Sequence, residues 1–196
     1  MVFLDKKHRE SVNEITRLWS ALEELSALAA THGILDIFQD NGAKTLQQMI
    51  VLNFSNIKGR EGNDGRDENG TEWEMKSANA ELVSGFSTHH HLNPIILKKY
   101  RSVPWSFAIY KHTHLNEIFV LHPMQLEPQF KKWESRLDGT SRNSIGTLLP
   151  RVDSLNNPKI PISFVREIGT KVFPFPTPPT NPAEIPKINR VRASGT

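Results

Sequence analysis

Asp64, Glu74 and Lys76 are the residues of this chain whose types and spacing could do chemistry together. Side chains alternate between the faces of a strand. In the run from Thr71 to Ala78, Glu72, Glu74 and Lys76 therefore share one face, while Trp73, Met75 and Ser77 take the other. Asn69-Gly70 just ahead is the signal of a two-residue hairpin, which would fold Asp64 back toward the Glu74 face. Carboxylate oxygens and water are the ligands Mg²⁺ prefers. A lysine beside them can orient or deprotonate an attacking water, or stabilise a pentacovalent phosphorus. The plainer reading of Glu-x-Lys on a strand is an exposed ion pair.

Two further groups stand out. His89-His90-His91 lies mid-chain, and alternation would splay three adjacent imidazoles, so they suit hydrogen bonds to guanine or phosphate better than chelation of one ion. Asn156-Asn157 precedes Pro158 in a polar stretch; it reads as a turn, or as the amide that bonds bidentately to adenine.

The elements that must position these groups follow from periodicity. Ile15, Leu18, Leu22, Leu25 and Ala29 form a narrow helical seam over 11–31, with Ser11 and Glu14 as a capping box and Gly33 as the stop. The seam suits packing within the domain and packing on a partner subunit equally. A second helix is expected over 43–52, a third from the Asn93-Pro94 cap to 101, and a fourth over 128–137. Strands are expected over 105–110, 117–121, 160–165 and 170–173. Residues 138–156 read as a long Gly-, Ser-, Thr- and Asn-rich loop. Six prolines among residues 174–196 mark a tail with no core of its own.

Composition narrows the class. The 196 residues carry no cysteine, which excludes a disulfide scaffold, a thiol nucleophile and a thiolate zinc site. No stretch approaches a membrane span, and the amino-terminal residues offer no apolar leader, so a cytoplasmic protein with no membrane partner is expected. Net charge is +3, but unevenly placed: residues 1–100 carry 11 basic and 14 acidic side chains, residues 101–196 carry 13 and 7. A basic second half suits nucleic acid without demanding it.

In order and spacing, HGILDIFQDNG (32–42), GREGNDGRDENGTEWEMKSAN (59–79), GFSTHHHLNP (85–94), KYRSVPWSFAIY (99–110) and NNPKIP (156–161) closely resemble the PvuII-type restriction endonucleases of the PD-(D/E)xK superfamily. The resemblance covers most of 12–137 and then 155–173. It implies an α/β (α+β) fold: a mixed central sheet flanked by helices, with an N-terminal helical dimerisation region. Residues 1–173 would form one domain, with 8–58 serving dimerisation and 59–173 catalysis and DNA recognition, and 174–196 would be a disordered tail.

It further implies a homodimeric type II restriction endonuclease that uses one or two Mg²⁺ ions per site to cleave both strands of duplex DNA at CAGCTG, leaving blunt ends. A cognate DNA methyltransferase is expected in the same host. Carried over residue by residue, Asp64 and Glu74 bind metal with the Met75 carbonyl, Lys76 is the catalytic lysine, Glu61 is a further acidic residue of the site, and Tyr100 lies near the scissile phosphate. Asp40, His90, His91 and Asn157 match base-contacting positions, with Ser87 and Asn156 beside them. Asp40, an anion, suits an amino group or a histidine and not a phosphate. Gly65 and Arg66 depart from the family's pattern, and the segment between Trp133 and Asn156 is longer. Two other classes are weighed: a sequence-specific DNA-binding protein without cleavage, which should have lost a carboxylate or the lysine, and a metal-dependent hydrolase of small phosphoesters, which would need no two-fold partner.

Overall fold

A computed structural model describes residues 6–39, 41–57 and 63–174. Two helices, α1 (Lys6–Thr31) and α2 (Gly42–Leu52), precede β1 (Ser55–Asn56), β2 (Gly65–Arg66), β3 (Glu72–Asn79) and β4 (Gly85–Ser87). Then come α3 (Pro94–Tyr100), β5 (Trp105–Lys111), β6 (His114–Leu121), α4 (Pro123–Leu137), β7 (Lys159–Pro161), α5 (Ile162–Ile168) and β8 (Thr170–Phe173). Six strands form one sheet in the order β1-β2-β3-β5-β6-β8, and β4 pairs with β7 in a separate two-stranded unit. Only the β3–β5 pair of these ladders is parallel. The expected mixed sheet flanked by helices is present.

β5 shows why this sheet is central. Its sequence WSFAIYK is buried at six consecutive positions, as a strand covered on both faces must be. Trp105, Phe107 and Ile109 pack into a core with Phe86, Leu97, Tyr100, Phe130 and Val165 on the α3/α4 side. Ala108 and Tyr110 face the opposite core, with Met49, Leu52, Phe54, Trp73 and Met75. Ser106 on that side is fully buried, and its hydroxyl accepts a 2.8 Å bond from Gln48 Nε2 of α2, which pins the helix to the strand.

Several boundaries differ from those expected on sequence. α1 starts at Lys6, so Ser11 and Glu14 sit inside the helix and do not cap it. Its carboxy-terminal half buries Ala29 against Ile37 and Leu46, with Leu22 and Leu25 alongside. Ile15, Leu18 and Trp19 remain about half exposed. α4 starts at Pro123, where Gln125 Oε1 accepts from the His122 N–H at 2.7 Å; Pro128 is then an interior residue that forfeits one helical bond. The expected 160–165 strand ends at Pro161 and turns into α5, because Pro161 has no N–H to extend the ladder.

The Asn69-Gly70 hairpin forms, but through residues 67–71. Asp67 Oδ1 accepts from the N–H groups of Asn69 and Thr71, both at 2.9 Å, and Gly70 takes the positive φ that closes the loop. Residues 138–156 are an excursion with a hairpin-like tip: Arg142 bridges Leu148, and Gly139 lies against the Arg151 backbone. The proposed tail from residue 175 onward lies outside the described residues.

β6 is tied to the elements after it by Glu117, whose carboxylate accepts from Arg166 Nε and Nη2 at 2.9 and 2.7 Å and from Lys171 Nζ at 2.9 Å. Burial alone would raise its pKa, but the lysine and arginine outweigh it and hold it below the ordinary 4.5. Its stabilisation is therefore complete above the unfolded value and is lost as pH falls through the lower folded one. Glu117→Gln is expected to destabilise the fold by about 1 kcal/mol at pH 7, with the difference from wild type shrinking as pH falls through the lowered folded-state value in urea titrations. Ser106→Ala, which strands the buried Gln48 amide, is expected to cost about 1–3 kcal/mol by the same method, and adding Gln48→Leu should recover part of the loss.

Candidate active site and recognition clasp

The β2–β3 ladder stops at the Gly65–Trp73 pair, and β3 continues past it with no further strand partner on that edge among the described residues. Asp64 covers the first group on that edge: its Oδ2 accepts from the Met75 N–H at 2.8 Å, while its own N–H donates to the Trp73 carbonyl at 3.0 Å. Within a strand the N–H and C=O of one residue point the same way, so the Met75 carbonyl faces the edge that carries the Asp64 carboxylate. Glu74 N–H turns the other way, to the Pro104 carbonyl at 3.0 Å, and its side chain lies on the face opposite Met75.

Lys76, two residues on, brings the cluster together. Its Nζ lies 2.5 Å from Glu74 Oε1 and 3.9 Å from Asp64 Oδ2. The Glu74 side chain is 7 % exposed and that of Lys76 15 %, whereas Asp64 is 40 % exposed and opens the cluster to solvent. Burial raises the Glu74 pKa above the ordinary carboxylate value, with the Asp64 charge adding to the effect and Lys76 opposing it. Burial alone would lower the Lys76 pKa, but Glu74 and Asp64 outweigh it and hold the ammonium above its usual value. In this arrangement the two carboxylates favour the charged, donating form of Lys76.

The wall behind the cluster comes from β5 and α3. Trp105 pairs in register with Glu74, and the Lys76 ammonium sits 5.8 Å from its ring centroid. Trp105 Nε1 donates to the Tyr100 carbonyl at 3.0 Å, and the two rings meet edge to face at 4.6 Å. The Tyr100 hydroxyl is hydrogen-bonded to Glu74; burial first, then the Glu74 and Asp64 charges, push its pKa well above the phenol range and keep it a neutral donor. α3 holds this tyrosine because Asn93 Oδ1 caps its start, accepting from the Ile95 and Ile96 N–H groups.

Asp64, Glu74 and the Met75 carbonyl are oxygen donors around one open edge, a set that fits a hard divalent cation. Among the described residues no group of three or more His, Asp or Glu gathers anywhere, so side-chain ligation would rest on these two carboxylates. Glu61 and Asp40 lie outside the described residues.

The histidine and asparagine segments, distant in sequence, meet in space. β4 and β7 pair with Ser87 opposite Lys159, and Leu92 bridges Leu155. Between these anchors Thr88 N–H donates to Asn157 Oδ1 at 3.0 Å, Thr88 Oγ1 to the Pro158 carbonyl at 2.6 Å, and Asn157 N–H to the His89 carbonyl at 2.9 Å. The expected splaying of the histidines on a strand does not apply, because residues 89–91 form a turn after β4. His89 Nδ1 accepts from the His91 N–H at 3.0 Å. Partial desolvation and the charges of His91, Lys76 and His90 keep the His89 pKa below the usual imidazole value. Ser87, His90, His91 and Asn156 are exposed, and Asn157 is half-buried.

Sequence reasoning missed Thr88, which ties the two segments, and Trp105, which supports both Lys76 and Tyr100. Neither carries a local signal; each is defined by a partner strand. A family model described as restriction endonuclease PvuII matches residues 10–173, a span that includes the cluster, its aromatic wall and the clasp.

Asn157 combines a left-handed φ of 48° with its bond to Thr88. Asn157→Ala should cost about 1–2 kcal/mol and speed amide hydrogen exchange at Thr88, and Asn157→Asp, which keeps the acceptor, should leave that exchange rate near wild type.

Proposed function

The chain belongs to the PvuII family of restriction endonucleases and is a type II site-specific deoxyribonuclease acting on DNA; from this premise we propose that it uses Mg²⁺ to hydrolyse both strands of CAGCTG and leaves blunt ends. The observation that carries the reading is the convergence of the Glu74 and Asp64 carboxylates on the Lys76 ammonium, at 2.5 and 3.9 Å. One or two Mg²⁺ ions would be held by the two carboxylates and the Met75 carbonyl, with Glu61 as a further acidic residue of the site. A bound Mg²⁺ supplies charge neutralisation at the scissile phosphate and a water of lowered pKa.

The chain's own groups then have distinct tasks. Glu74 and Asp64 hold the site anionic and fixed. Lys76, kept protonated by them, donates to the phosphoryl oxygens as negative charge builds there, while Tyr100 donates to Glu74 behind it and keeps that carboxylate in place. Attack of water in line breaks one P–O bond, leaving a phosphate on one end and a hydroxyl on the other. Ser87, His90, His91, Asn156 and Asn157 on the clasp, together with Asp40, read base edges. Imidazole and amide groups supply the donors and acceptors that the major groove distinguishes.

A palindrome is read by a two-fold pair. The exposed Ile15, Leu18 and Trp19 on the first half of α1 supply an apolar face for a second copy, so we place the homodimer contact there. No described helix is long and apolar enough to cross a membrane. Cytoplasmic action, with a methyltransferase protecting the host's own sites, completes the reading.

Digestion of a plasmid of known sequence with and without Mg²⁺, with the ends mapped, is expected to give Mg²⁺-dependent blunt cuts at CAGCTG; staggered ends, or cuts at another palindrome, would reject the assigned specificity. Lys76→Ala should lower the cleavage rate by at least about 10²-fold while specific binding persists, and undiminished cleavage would remove Lys76 from the chemistry.

A further inference from the structure

Glu72 lies on the same strand face as Glu74 and Lys76, yet both of its oxygens are turned to the polypeptide on either side of Asp64. Oε2 accepts from Asn63 Nδ2 at 2.6 Å, and Oε1 from Arg66 Nη2 at 2.9 Å. Asn63 is 6 % exposed, and Arg66 stands opposite Glu72 in the β2–β3 register. The residues bracketing Asp64 are thus fastened to a single carboxylate. β2 is only two residues long and contributes few ladder bonds, so this strap adds to the bonds that Asp64 makes with the Met75 N–H and the Trp73 carbonyl in holding the Asp64 segment against β3.

We infer that Glu72 is a positioning residue: with Asn63 and Arg66 it forms a clamp that sets the Asp64 carboxylate at the separation from Glu74 that a divalent cation requires. The inference rests on the metal-dependent reading of the site. Its physical basis is that carboxylates carried on a free strand edge have many rotamers, and a cation demanding fixed ligand geometry binds more weakly when ordering them falls to the binding step. The buried Asn63 Oδ1 has no hydrogen-bond partner among the described residues, which leaves an acceptor available if the clamp's polarity is reversed.

That reversal gives the test. Mg²⁺ binding is measured by calorimetry on the full chain, alongside the Mg²⁺ dependence of cleavage and the melting temperature. Glu72→Ala and Arg66→Ala are expected to weaken Mg²⁺ binding about tenfold, while the cleavage rate at saturating Mg²⁺ stays within roughly threefold of wild type. The swap of Arg66→Glu with Glu72→Arg restores the pair, with the Asn63 amide turned over, and should recover most of the affinity. A merely structural role would lower the melting temperature without moving the Mg²⁺ midpoint, and that result overturns the clamp, as does binding within twofold of wild type in both single variants. Should Glu72→Ala fail to fold, Arg66→Ala, at a half-exposed side chain, decides between the two outcomes by itself. A wild-type chain that binds no Mg²⁺ would reject the metal reading itself and the clamp with it.

Discussion

The buried carboxylate of Glu74 is the constraint around which the structure is arranged. A charged group at 5 % exposure costs several kcal/mol unless it is paired and hydrogen-bonded. Lys76 supplies the charge and Tyr100 a neutral donor, so the cost is met by residues that themselves need support. That support comes from β5. Its parallel register beside β3 puts Trp105 opposite Glu74, where one indole faces the lysine ammonium, packs on the tyrosine ring and bonds its carbonyl. A parallel pair requires a crossover, and here it contains β4, the histidine turn and α3. The connection that the buried charge demands is therefore also the one that carries the histidine turn.

The clasp shows the same economy at longer range. Thr88 and Asn157 are 69 residues apart in sequence, and each is held by the other's backbone or side chain. Turn residues on an isolated loop would sample many conformations, whereas these are locked to a partner strand by the chain's own hydrogen bonds. Preorganisation of this kind favours discrimination, because a base that fails to match meets groups that cannot adjust.

Much of this was legible in the sequence where local rules suffice. The alternation of Glu72-Trp73-Glu74-Met75-Lys76 gave the correct two faces, and the 105–110 run was legible as a strand. Element starts were less legible. The α1 boundary was drawn at a Ser11–Glu14 pattern that lies mid-helix, and α4 at Pro128 when His122 and Gln125 supply the cap. Cap motifs recur by chance, and only hydrogen bonds decide which one is used. The Asn69-Gly70 turn was found but mis-sized, because Asp67 competes for the N–H groups that a two-residue loop would leave free. In the site, residue types and spacing pointed to Asp64, Glu74 and Lys76. Trp105, Thr88 and Glu72 went unnoticed in their positioning roles, since each acts through a neighbour that no periodicity reveals.

The long 138–156 segment leads directly into Asn156-Asn157, which raises the question of what separates so long an excursion from the clasp. The answer lies in where the chain is fastened. Gly139 rests on the Arg151 backbone, closing the excursion at its base, and the Leu92–Leu155 bridge fixes the chain again immediately before the asparagines. Loop closure costs grow only slowly with length, so residues added beyond the Gly139–Arg151 contact carry a small entropic penalty. They also lie on the far side of two fastenings from Asn157. Length in this loop is thereby mechanically separated from the register of the clasp, whereas a change at Leu155, Thr88 or Asn157 acts on that register at once.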